Sequence, residues 1–261
     1  WNPSAAQTIH LAAQPADKVI EGASLTVNLP SSIAIGDLNG DGISDLALAA
    51  SSASPPGRAG AGIIYVALGS AAFFDDPTTL TLTAPGSAAV LTIYGPVAYG
   101  DAGAASVFGG MDAHGLAIGD LNGDGIGDLA VGSHLSSPSS RSQAGQVNVL
   151  FGRTSFSSSQ VVDLATASNV RFDGARNYYE TGTHLAIGDV TGDGIGDLVI
   201  GCPVAGEQTF YLSTEGIIYL FRGRGSWAAS YDLRTVTPDL KILGRRDGDE
   251  LPVVAELQRN L

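Results

Sequence analysis

Cysteine is nearly missing from this chain. Cys202 is the only one in 261 residues, so no disulfide can form within it. It closes the apolar run Leu198-Val199-Ile200-Gly201-Cys202, which fits a small buried hydrophobe. Lysine is almost as scarce, with Lys18 and Lys241 alone, and 13 Lys plus Arg face 26 Asp plus Glu for a net charge of −13. No basic stripe exists to neutralise phosphates, which excludes a nucleic-acid binder. No apolar run approaches the roughly 20 residues a bilayer-crossing helix needs, so no membrane span is expected. Low hydrophobicity is lacking too: 15% of residues are charged and the mean hydropathy is +0.18, which excludes a disordered acidic tail. No N-x-[ST] acceptor occurs, since Asn2-Pro3-Ser4 is blocked by proline. Signatures of catalysis are absent: there is no G-x-S-x-G, no H-E-x-x-H and no phosphate-binding Gly loop. His10, His114, His134 and His184 share no spacing with a Ser or Cys and read as exposed loop or strand-end residues. No catalytic residue is therefore assigned, and the chain is read as not an enzyme. Glu, finally, is rare beside Asp, 6 against 20. Solubility would draw on both, so the excess points to short carboxylates aimed at turns, caps or metal ions.

What is present is an internal repeat. Ile33-Ala34-Ile35-Gly36-Asp37-Leu38-Asn39-Gly40-Asp41-Gly42-Ile43-Ser44-Asp45-Leu46 recurs as residues 116–129 and again as 185–198. Each copy is followed by a glycine-bounded apolar run (62–69, 145–152, 216–223). A weaker segment comes next (79–83, 160–165, 231–235), then a stretch ending at Gly95, Gly174 or Gly244. These segments are short, rich in Ile, Val, Leu, Tyr and Thr, and cut by Gly, Pro and Asp, so they read as strands. The expected fold class is all-β, a β-propeller-type repeat of four-stranded antiparallel blades. Blade 1 is set at 30–96, blade 2 at 113–175 and blade 3 at 183–245. Residues 1–29 align with the outer part of a blade, and 251–261 with an inner strand. The reading is three full blades plus two complementary parts of a fourth. The first residue is Trp1, with no leader pattern before it, so a processed or excised piece is expected.

Each repeated loop follows D-x-[NT]-x-D-G-x-x-D, which offers oxygen ligands at positions 1, 3, 5 and 9 and a carbonyl at 7. Gly at position 6 permits the turn that wraps such a loop around a hard cation. The candidate ligands are Asp37, Asn39, Asp41, the Ile43 carbonyl and Asp45. In the second loop they are Asp120, Asn122, Asp124, the Ile126 carbonyl and Asp128. In the third they are Asp189, Thr191, Asp193, the Ile195 carbonyl and Asp197. Three carboxylates and no nitrogen or sulfur favour Ca2+ over Mg2+, so three calcium sites are expected, the Thr191 site the weakest. An EF-hand is excluded because its position-12 Glu is Leu48, Val131 or Ile200 here. Tight DG hairpin turns would explain one copy but not three with the same position-9 Asp.

On these residues the sequence resembles the FG-GAP repeat family, the blades of integrin α-subunit propellers and of many bacterial surface proteins. The loops carry the resemblance, with the Asp-Leu strands after them and the Gly-Ile-Ile-Tyr type strands. The eponymous dipeptides are degenerate: Phe151-Gly152 in the second unit is Leu68-Gly69 in the first, and Gly-Ala-Pro survives only as Gly201-Cys202-Pro203. The resemblance implies structural calcium at one face of a seven-bladed ring. It leads to the expectation of an extracellular or cell-surface calcium-binding structural or interaction protein, an adhesion or surface-assembly module. The unpaired edges at 7–22 and 251–261 suggest a homo-oligomer or filament formed by strand addition. Two alternatives are a fragment of a larger seven-bladed adhesive protein and a polysaccharide-acting hydrolase propeller. A protein or glycan ligand is expected, but no residue names it.

Overall fold

The computed structural model describes residues 19–22, 29–71, 73, 80–82, 90–104, 114–205 and 215–244. Three antiparallel blades stand side by side. Blade 1 is β2 (Ser32–Gly36), β3 (Asp45–Ala50), β4 (Ile63–Ala67) and β6 (Val90–Tyr94). Blade 2 repeats it with β7 (Leu116–Gly119), β8 (Asp128–Ser133), β9 (Gln146–Leu150) and β11 (Val170–Asp173). Blade 3 is β12 (His184–Gly188), β13 (Asp197–Cys202), β14 (Ile217–Phe221) and β16 (Leu240–Leu243). The inner strands β2, β7 and β12 lie in sequence beside one another. They approach closely because each ends in glycine: a Cβ on Gly36 would sit 2.3 Å from Ile118 Cγ2, and one on Gly119 2.5 Å from Ile187 Cγ2.

The weaker segments depart from the blade ranges read from the sequence. β5 (Leu80–Leu82) falls within 30–96 but pairs in parallel with β1 (Ile20–Gly22). β10 (Val161–Asp163) falls within 113–175 but pairs in parallel with β6 of blade 1. β15 (Ser230–Asp232) falls within 183–245 but pairs in parallel with β11 of blade 2. Units 2 and 3 thus each lend a fifth strand to the blade before them. The cause is burial between blades: Val162 and Leu164 join Leu91 and Ile93 of blade 1 and Leu150 of blade 2 in one apolar cluster. At the next junction Tyr231 stacks on the fully buried Phe172, ring centroids 4.9 Å apart, beside Phe221 and Trp227. β1 takes β5 as β6 takes β10, so the described part of the amino-terminal piece holds the place of an outer blade strand. The proposed edge at 7–18 and the inner strand at 251–261 lie outside the described residues.

Cys202 is fully buried, 3.3 Å from Thr181 Oγ1, and burial pushes its thiol up to about 12, so it is an inert core residue. Two histidines correct the expectation of exposure: His134 and His184 are buried, while His114 is exposed. His134 directly follows β8, and His184 opens β12.

Candidate metal centres

Each repeated loop joins an inner strand to the second strand of its blade, and the three fold alike. Asp37 collects three backbone N–H groups: Gly40 donates to its Oδ1 at 2.7 Å, Asp41 to the same oxygen at 3.2 Å, and Gly42 to Oδ2 at 2.8 Å. Asp120 and Asp189 collect the corresponding three at 2.6 to 3.2 Å. The wrap requires left-handed backbone at positions 4 and 6, and both are glycine in every copy, with φ between 71° and 87°. Asn39 and Asn122 tighten their loops twice, accepting from the position-5 N–H and donating to the position-5 carboxylate. Thr191 makes neither contact among the described hydrogen bonds. The three amides that converge on Asp189 hold its carboxyl below the usual range.

The position-9 aspartates do something the sequence does not announce. Asp45, Asp128 and Asp197 are fully buried, and each spends both oxygens on backbone amides. Asp128 Oδ2 accepts from Leu121 N–H at 2.8 Å, closing the loop, and Oδ1 accepts from Gly152 N–H at 3.0 Å, at the end of β9. Asp45 does the same with Leu38 and Gly69, and Asp197 with Val190 and Gly223. These glycines admit no side chain: a Cβ on Gly152 would lie 2.1 Å from Gly127 O, and one on Gly223 2.3 Å from Gly196 O. The glycine of the degenerate Phe-Gly pair is therefore the part the loop needs. Burial pushes the Asp128 carboxyl up to about 7, with Asp124 and Asp120 adding to the shift, and moves Asp45 in the same direction.

The loops also join the blades. Gly127 N–H donates to Asp37 O and Gly196 N–H to Asp120 O, both at 2.7 Å; Arg153 and Arg224 N–H reach Leu38 O and Leu121 O at 3.0 Å. Ile126 seats its side chain on Gly40, and Ile195 does so on Gly123. The side chains of Ile126 and Ile195 thus belong to blade packing, while Ile43, with no blade before it, is exposed.

The structure brings positions 1, 3 and 5 onto one exposed loop and sets position 9 beneath it. The exposed oxygens are those of Asp37, Asn39 and Asp41 and their counterparts, which already accept N–H groups within the loop, with the buried carboxylate below. Among the described residues no three acidic, His or Cys side chains are drawn together as a ready-made metal cluster. No ion pair among the described residues reaches a loop aspartate.

One repeated device escaped the sequence reading. Arg58, in the loop before β4, pairs with Asp163 on the fifth strand of its blade, and Arg141, before β9, pairs with Asp232 in the same way. Each Arg lies four residues before the glycine that opens the third strand. That spacing was the only signal, and its partner is about 100 residues away.

The FG-GAP repeat family matches residues 29–67 and 113–150, which take in the first two loops and the strands on either side. The chain carries FG-GAP repeats. The third unit, outside those ranges, has the same strands and the same loop. Bovine phosphatidylinositol-glycan-specific phospholipase D is 29% identical over 215 residues, 81% of this chain and 22% of that protein. The rat protein is 30% identical over 233 residues, 86% of this chain and 25% of its own length. The chain thus spans about a quarter of the length of these curated relatives. Among solved structures, Bacillus licheniformis rhamnogalacturonan lyase PL11 is similar with a TM-score of 0.42 and 13% identity, over 84% of this chain and 35% of that one.

Proposed function

We propose that the chain is an extracellular or cell-surface calcium-binding structural and interaction module, itself non-catalytic. Its three FG-GAP loops would each hold one Ca2+. The observation that carries this reading is the buried position-9 carboxylate beneath two further carboxylates, in three copies, with no ion pair among the described residues to offset it. Burying unpaired negative charge is costly, and a hard divalent cation facing an all-oxygen donor set would remove that cost. Asp37, Asn39 and Asp41 would hold it in the first loop, Asp120, Asn122 and Asp124 in the second, and Asp189 and Asp193 in the third. Asp45, Asp128 and Asp197 would lie below it. The third site would be the weakest, because the Thr191 side chain offers no amide carbonyl oxygen and is engaged with Asp189. Metal binding to the native state alone adds stability by mass action. The test is calorimetric titration with CaCl2 and melting in excess EGTA; Asp41→Ala, Asp124→Ala and Asp193→Ala should each remove one site. A melting curve unchanged by chelation sinks the proposal.

Association with another blade is a second reading with its own support. Ile33 and Ile35 on β2 are 49% and 64% exposed, while their counterparts Leu116 and Ile118, Leu185 and Ile187 are covered at the internal junctions. The module would take a neighbouring blade on this face, from a second copy of the chain in the homo-oligomer reading. Ile35→Lys should then shift the protein to monomer in size-exclusion chromatography, and a wild type already monomeric at high concentration would exclude it.

A further inference from the structure

A cavity of about 830 Å3 lies between blades 2 and 3, far larger than a single ion needs and of the size that takes a sugar-like ligand. Four cations line it, Arg141, Arg176, Arg234 and Lys241, in a chain that has only 13 Lys plus Arg against 26 acidic residues. None of the lining residues is acidic. Asn177 and Tyr219 add polar groups to the same wall. The Nε–H of Arg141 is buried and has no hydrogen-bond partner, while its two terminal nitrogens hold Asp232.

The repeat provides an internal control. Gly95 and Gly174 end matching strands, and the turns after them share left-handed residues at Tyr99 and Tyr178 and at Asp101 and Glu180. Two residues after the glycine, blade 1 has Val97 where blade 2 has Arg176; Ala98 stands for Asn177. Two residues after the paired aspartates, Ala165 stands where blade 3 supplies Arg234. Arg141 has its counterpart in Arg58 and belongs to the ion pair that joins the blades. Arg176 and Arg234 have none. Both are exposed, and the neighbouring junction stands without them, so the fold does not require them, although Arg234 adds its charge beside Asp232.

We infer that this cleft binds a sugar-sized polyol bearing two or more phosphate or sulfate ester groups. Guanidinium forks match such oxyanions bidentately, and several on one wall select for more than one charged group. The inference rests on the interaction reading above and is independent of calcium. Two probes separate the sources of the charge: glucose 1,6-bisphosphate and sucrose octasulfate, with maltose as the neutral control, titrated calorimetrically into the calcium-loaded chain. At least one charged probe should bind saturably, more weakly at higher salt, and maltose should not. The double variant Arg176→Val/Arg234→Ala takes residues the repeat already uses, so its melting temperature should stay within about 2 °C. Its affinity should fall at least tenfold, since the charged hydrogen bonds of two guanidinium groups are lost. Arg176→Lys/Arg234→Lys keeps the charge but loses the fork, so it should bind more tightly than the double variant and more weakly than wild type, and Arg222→Ser, an exposed arginine outside the cleft, should bind as wild type does. The inference is overturned if neither charged probe saturates, if the double variant binds within twofold of wild type, or if Arg222→Ser loses as much. A chain that fails these tests and still melts lower in EGTA loses this inference and keeps the calcium one.

Discussion

Asp128→Ala separates the two tasks a position-9 aspartate can have. Fully buried, Asp128 accepts from Leu121 N–H at 2.8 Å and from Gly152 N–H at 3.0 Å, so truncation leaves two buried amides without acceptors. Each hydrogen bond to a charged group contributes about 1.5–3 kcal/mol. Relief of the carboxylate's own burial, which raises its pKa to about 7, returns part of this. A net loss of about 3 kcal/mol is expected, equivalent to about 6–12 °C in melting temperature for a domain of this size. This loss belongs to the metal-free fold and must therefore appear in excess EGTA. Asp124→Ala is the matched control: its carboxylate serves only Ile126 N–H and the Asn122 amide on an exposed loop, so in EGTA it should cost well under 1 kcal/mol. Differential scanning calorimetry of both variants with and without calcium reads the difference. An Asp128→Ala melting temperature within 2 °C of wild type in EGTA would refute this structural role of Asp128.

The remaining predictions concern packing and pH. Gly152→Ala places a Cβ against Gly127 O at 2.1 Å and should cost several kcal/mol or prevent folding. Gly42→Ala meets nothing within 4 Å and should cost only about 1 kcal/mol of left-handed strain; equal melting temperatures for the two would contradict the close approach. Burial lowers the His134 pKa from 6.5 to about 4, so below pH 6.5 the unfolded chain binds a proton that the folded one refuses. The contribution is absent above pH 6.5 and becomes a loss as pH falls towards 4. Relative to His134→Gln, wild type should therefore lose about 2 kcal/mol between pH 8 and pH 5 in urea denaturation at saturating calcium. A difference that stays flat over that range would show that the ring titrates freely.

Much of the fold was legible because the repeat states it three times. Asp-Leu-Asn-Gly-Asp-Gly places a turn between two apolar runs, and those runs alternate at the strand period, so the four antiparallel strands of each blade followed directly. The fifth strand was not legible. Val161-Val162-Asp163 carries the same alternation whichever edge it joins, and only the three-dimensional fit of Val162 and Leu164 between two blades decides for blade 1. The loops were legible as oxygen-rich turns, whereas Asp45, Asp128 and Asp197 open β3, β8 and β13 beneath them. The double use of Asp45, Asp128 and Asp197 was hidden, because the second amide in each case comes from a glycine 24 to 26 residues on. Spacing within a motif cannot report such a partner. The basic cleft was hidden for the same reason: Arg141, Arg176, Arg234 and Lys241 are scattered singly over 100 residues and meet only where two blades pack.

The charge of −13 ties these observations to one experiment, since nine of the 20 Asp residues sit in the three loops. Scanning calorimetry of the whole chain in excess EGTA and then in rising CaCl2 tests the calcium reading most directly. At a free concentration 100 times Kd each site adds about 2.7 kcal/mol, so one site alone raises the melting temperature by about 5–10 °C and three raise it further. The account predicts a progressive rise with calcium that MgCl2 does not reproduce, and three bound ions at saturation, the Asp193→Ala chain showing two. A melting temperature indifferent to both EGTA and calcium would contradict it.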